Sequence, residues 1–169
     1  MEKQFRVKYP LRVLDYVIEL ITLLSILSTF IILAIGWKNI PETVPIHFNA
    51  MGIADGFASK NTLIILPIIN ILIYLVLTFS SKVPQIINFP IKITEQNCMK
   101  INLYKIRMIR WIKLFTCLLM TNITLHQIEL FPSQQYGIGN FSIFIFLACI
   151  LICILYFAIK MKKVNENAG

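Results

Sequence analysis

The chain has 169 residues, 57% of them apolar and only 14% charged, with a mean hydropathy of +0.75 and a formal charge of +8. A soluble domain carries about 25% charged residues, so this composition excludes an ordinary soluble domain, a disordered chain and a secreted disulfide scaffold. It points instead to a membrane protein, in which surplus cations need no nucleic-acid partner because the loops carry them. Apolar runs that approach the roughly 20 residues of a spanning helix occupy residues 13–37, 63–79, 111–130 and 138–159. They predict an all-α four-transmembrane-helix bundle forming a single membrane domain over 1–169, with a loop at 38–62 and a longer connection at 80–110.

The first run follows basic residues and contains Ala34-Ile35-Gly36, a small-x-small sequence that a signal peptidase accepts. Asp15, Glu19 and an apolar stretch well beyond the roughly 7–15 residues of a signal core argue that it stays as a span. Glu19 falls six residues into it, about 9 Å by helical rise, where an uncompensated carboxylate costs a few kcal/mol and requires a partner. The predicted intramembrane ion pair joins Glu19 to Lys113 or Arg110, which enter the third span from the same side, with Asp15 adding to it one turn before Glu19. A proton relay would use the same acids, and the first span offers it only Thr22, Ser25, Ser28 and Thr29 beyond them.

Between the first two spans lies the most informative stretch. Pro41 and Pro45 favour extended backbone at Ile40 and Val44, while Gly52 and Asp55-Gly56 supply turn positions. Val44, Ile46, Phe48, Ile53 and Phe57 interleave with His47, Asn49, Asp55 and Lys60. This pattern predicts a short ordered cap whose apolar side chains are buried on the helix ends and whose polar ones are presented.

The run Pro41, Val44, Pro45, His47, Phe48, Asn49, Gly52, Asp55, Gly56, Ser59, Lys60 fits the spacing PxxVPxHFNxxGxxDGxxSK. In this it resembles the SdpI-like bacterial membrane protein family (domain of unknown function 1648). Residues 88–97 and Arg110-Trp111-Ile112-Lys113 also resemble that family's connection and third-helix entry, so the resemblance runs from about residue 30 to about residue 115. Ala54 stands where the family usually has proline, and Phe57 where it often has tryptophan. The family includes an immunity protein against a sporulation-delaying peptide toxin. The resemblance therefore implies a bacterial cytoplasmic (inner) membrane protein, and by analogy a non-enzymatic immunity or sensing component. Its ligand, a peptide toxin or other outer-face molecule, would meet the loop through Pro45, His47, Asn49, Gly52, Asp55, Gly56, Ser59 and Lys60.

In the second span, Pro67 removes a donor, and Asn70 lies one turn later where its amide can meet part of that loss, which predicts a kink. In the connection, Thr94 is placed to N-cap a helix that begins at Glu95 and runs into the third span. On that helix Lys100, Arg107, Arg110 and Lys113 occupy an arc of roughly 140°. Such a ridge suits anionic lipid headgroups, although a basic collar obeying the positive-inside rule accounts for the same residues. Fourteen cations fall in the two terminal segments and this connection, counting Lys113 just inside the third span, against Lys38 and Lys60 in the first loop. Both termini are therefore expected in the cytoplasm and the first loop outside.

His47 lies in that loop, and His126 with Glu129 follows near the outer end of the third span. Two histidines and a carboxylate can hold Zn²⁺ with an open position, Asp55 replacing Glu129 or steadying a histidine. This supports the alternative of a metal-dependent membrane enzyme or small transporter. The competing reading leaves His47 bonded to the loop backbone and His126, Gln127 and Glu129 facing interfacial water. Cys117, Cys149 and Cys153 lie within spans and Cys98 in the connection, which suits packing thiols. The i, i+4 pair Cys149 and Cys153 is a soft-metal alternative. Thr121, Asn122 and Thr124 fit either an intrahelical cavity or the interface of a homo-oligomer.

Overall fold

The structure, a computed structural model, describes residues 9–49, 53–129 and 139–166, the side chains of residues 48, 126–129, 139 and 140 excepted. Four helices account for most of it: α1 (Val13–Gly36), α2 (Ile65–Lys82), α3 (Cys98–Glu129) and α4 (Gly139–Glu166). All four are long and apolar enough to cross a membrane. Between α1 and α2 the chain makes a short 3₁₀ turn (Trp37–Asn39), an antiparallel hairpin of β1 (Thr43–Phe48) and β2 (Ala54–Ser59), and a second 3₁₀ turn (Lys60–Ile64). The molecule is thus a multi-pass membrane protein of the four-helix type expected.

Helix α1 shows why these sequences suit lipid rather than water. Its buried residues are Asp15, Ile18, Thr22, Ser25, Ile26, Thr29 and Leu33, a stripe at i, i+3/i+4 spacing that is largely polar or small. Its exposed face carries Leu14, Leu20, Leu24, Leu27 and Ile31. A soluble helix buries its apolar side; here lipid solvates that side, and small hydroxyl residues allow close helix approach. Helix α2 repeats the pattern, burying Pro67 and Asn70 and exposing Ile68, Leu72, Leu75 and Phe79.

Helix α3 lies at the centre and packs against each of the other three. That position explains how it carries so many polar residues: they meet protein, not hydrocarbon. At 32 residues it is about 48 Å long, well beyond the ~30 Å hydrocarbon core, so one end must project from it. Cys153, Phe157 and Met161, spaced four apart, are the knobs by which α4 packs on Ile101 and Met108 of α3, with Phe89 and Ile91 of the connection covering the same cluster. Asn122 accepts a hydrogen bond from Ser142 at 2.6 Å, joining α3 and α4 a second time.

Three expectations need correction. Helix α3 starts at Cys98, not Glu95: Asn97 ends the preceding loop, its side chain accepting from Thr94 N–H at 2.8 Å and donating to Lys92 O at 3.1 Å. The Thr94 hydroxyl, expected as the cap, has no partner among the described residues. Pro67 falls in the first turn of α2, where an N–H has no intrahelical acceptor, so its place does not call for a mid-span kink. The Asn70 amide donates across to Cys117 O of α3 at 3.2 Å instead of repairing its own helix.

Candidate functional site

The hairpin is built by residues whose polar groups hold the fold. Lys60 N–H donates to Glu42 O at 2.9 Å and its ammonium to Glu42 Oε1 at 2.7 Å, closing the open end, and the ammonium also lies 5.5 Å from the Trp37 ring centroid. At the turn, Asn49 N–H donates to Ile53 O, and Ile53 N–H donates back to Asn49 Oδ1. Ser59 Oγ caps the following 3₁₀ turn by accepting from Asn61 N–H. Val44, fully buried, packs with Leu33, Ile40 and Leu63 and so anchors β1 on the helix ends.

The pairing is irregular in a way that selects what is shown. Pro45 pairs with Phe57 and His47 with Gly56, so Ile46 is an extra residue on β1; Phe48 then pairs with Ala54, leaving Asp55 extra on β2. Bulges of this kind re-aim side chains. A Cβ at position 56 would lie 2.9 Å from the His47 Cβ, closer than packed carbons approach, so this pair needs glycine. Along β2 the less exposed positions are Ala54, Gly56 and Ala58, a small-residue underside, and the exposed ones are Asp55, Phe57 and Ser59.

His47 Nδ1 lies 2.5 Å from Asp55 Oδ1, with both side chains largely in solvent. This pair fixes the imidazole and leaves Nε2 as the nitrogen available to a ligand. Contrary to the expected burial, Ile46 (48% exposed), Ile53 (42%) and Phe57 (62%) face outward. The bulge at Ile46 and the alternation of β2 put them on the opposite face from Val44. Of the loop residues singled out, Asn49, Gly56, Ser59 and Lys60 thus have structural work, Pro45 is a strand residue, Gly52 lies outside the described residues, and His47 and Asp55 are presented.

A second constellation runs inside the bundle. Lys113, 1% exposed, donates to Glu19 Oε1 and Oε2 at 2.7 and 2.8 Å and to Thr78 Oγ1 at 2.8 Å. Tyr74 donates its hydroxyl to the same carboxylate at 2.6 Å and places its ring 4.5 Å from the ammonium. Three helices are joined at one point. An ammonium has three protons, and all three are engaged. Deeper in the bundle, Thr121 Oγ1 lies 3.0 Å from Thr29 Oγ1 and donates to Ser25 O at 3.2 Å, with Asn70 beside it. These hydroxyls act as glue within one chain.

Arg110 does not reach Glu19; it donates to the backbone carbonyl of Asp15 at 3.1 Å. Asp15 accepts from Arg12 N–H at the start of α1, and its Oδ2 lies 3.5 Å from Arg107 Nε. Lys113, Arg110 and Arg107 therefore turn toward α1 rather than forming one outward ridge. Tyr74 and Thr78 escaped the sequence reading, the i, i+4 polar pair in a largely apolar α2 being the available signal, and Arg107, read there as part of the cationic arc, was not foreseen as the partner of Asp15. The side chains of His126 and Glu129 lie outside the described residues, and among the described ones no three His, Cys, Asp or Glu side chains form a metal-holding group. All four cysteines are free; Cys117 and Cys153 are buried in helix contacts.

A family model described as "Domain of unknown function (DUF1648)" matches residues 24–71, which take in the second half of α1, the whole hairpin and the first part of α2. An uncharacterized protein of the archaeon Archaeoglobus fulgidus is 36% identical over 78 residues, 41% of this chain. The matched part spans 43% of that relative's length, less than half of it. No solved structure matches. The chain is thus a multi-pass membrane protein whose hairpin and flanking helix halves are similar to a domain of unknown function.

Proposed function

We propose that the chain is a non-enzymatic immunity or sensing component of the SdpI-like kind, which recognises a peptide toxin or another ligand at the outer face through its hairpin. The observation that carries this reading is the outward face itself: Ile46 and Phe57 stand exposed beside the His47–Asp55 pair on a hairpin pinned by Val44 and by Lys60–Glu42. Exposed aromatic and aliphatic side chains next to a fixed polar pair suit an amphiphilic peptide, because they offer apolar contact at small ordering cost. The excess of cations at the opposite end of the bundle supports an outward hairpin in the cytoplasmic membrane of a bacterium. The saturated Glu19–Lys113–Thr78 contacts favour a static scaffold over a proton-conducting one.

The test is protection of cells. Expression of the chain in a sensitive host is expected to raise the inhibitory concentration of at least one member of a panel of synthetic amphipathic peptides severalfold. Ile46→Ser with Phe57→Ser, both at exposed positions, should return it to the level of the empty host. Undiminished protection by that variant, or no protection against any peptide, would overturn the reading.

A further inference from the structure

Helices α1 and α4 both pack on α3 yet leave a groove of about 680 Å³ between them, at the end of the bundle remote from the hairpin. Arg12, Arg107 and Lys160 stand around its mouth, and Trp111, Phe115 and Phe157 are among its walls. Asp15 lies there too, offsetting part of the Arg107 charge at 3.5 Å, while Arg12 and Lys160 are exposed. Along α4 the lining extends from Lys160 to Cys149, about 16 Å by helical rise. That is close to half of the ~30 Å hydrocarbon core, the depth of one leaflet.

An apolar groove open to hydrocarbon does not stay empty, since the surrounding chains fill it and gain dispersion contacts with its walls. Cations at the mouth of a groove between membrane helices select an anionic headgroup. A second copy is a poor occupant, because a two-fold pairing of this face would bring like charges together. We infer that the groove seats one anionic phospholipid of the adjacent leaflet. Its phosphate lies among Arg12, Arg107 and Lys160, and one acyl chain runs along Trp111, Phe115 and Phe157.

Native mass spectrometry of the detergent-purified chain, titrated with dioleoylphosphatidylglycerol or dioleoylphosphatidylcholine, tests this. One phosphatidylglycerol per chain is expected to be retained at least about fivefold more strongly than phosphatidylcholine. Lys160→Gln should weaken that retention about fivefold, the worth of one surface cation. Ile152→Trp fills the groove from an exposed lining position and should remove retention with helix content unchanged by circular dichroism. Equal retention of the two lipids, retention unaffected by either variant, displacement by millimolar inorganic phosphate, or a lipid-free dimer occupying this face would overturn the inference.

Discussion

At the scale of single residues, Lys113 does the most to define the bundle. It is a long cationic side chain buried to 1% exposure, and its three protons meet two oxygens of Glu19 and the hydroxyl of Thr78. Removing one member of such a pair leaves an uncompensated charge, and this costs more than the pair contributes. Lys113→Met is expected to destabilise the folded chain by about 3 kcal/mol, measured as a shift in a detergent unfolding titration followed by tryptophan fluorescence. The double variant Glu19→Leu with Lys113→Met should recover most of that loss, because no lone charge remains. Equal losses in the single and double variants would assign the effect to packing alone.

At the scale of elements, the hairpin works by close approach. Gly56 faces His47 with no room for a Cβ, and this contact sets the bulged register that turns Ile46 and Asp55 outward. Gly56→Ala forces the strands apart at a cost of about 1–3 kcal/mol. Amide exchange at residues 53–58 should accelerate about tenfold or more, while exchange within α1 and α3 stays unchanged. Unaltered exchange in β2 would show that the hairpin yields without strain. The pattern Pro45-x-His47 with Asp55-Gly56 made an ordered loop legible in the sequence. Which of its apolar residues would be buried was not legible, because a one-residue bulge reverses the facing of the residues beyond it.

At the scale of the whole molecule, orientation decides whether the hairpin can meet an external ligand. Fourteen of the sixteen cations lie in the terminal segments and the α2–α3 connection with its entry into α3, and cytoplasmic loops retain Lys and Arg. Single cysteines replacing the exposed Lys38 or Lys162, in a chain with its four native cysteines removed, report the side directly. An impermeant maleimide applied to intact cells should label position 38 and reach position 162 only after permeabilisation. The opposite pattern would turn the hairpin inward and end the ligand proposal.

The four apolar runs, their lengths and the asymmetry of the loops followed from the sequence by itself. Hydropathy and charge bias add up locally, and the bilayer reads them segment by segment. That Glu19 needs a cation was also evident, since hydrocarbon offers a lone carboxylate no alternative. Only the tertiary structure decided that Lys113 takes it while Arg110 turns to the Asp15 carbonyl, that Tyr74 and Thr78 complete the contact, and that α3 is central. Those choices depend on how each helix is rotated about its axis and against which neighbour, and that is fixed by packing among residues tens of positions apart rather than by any local pattern.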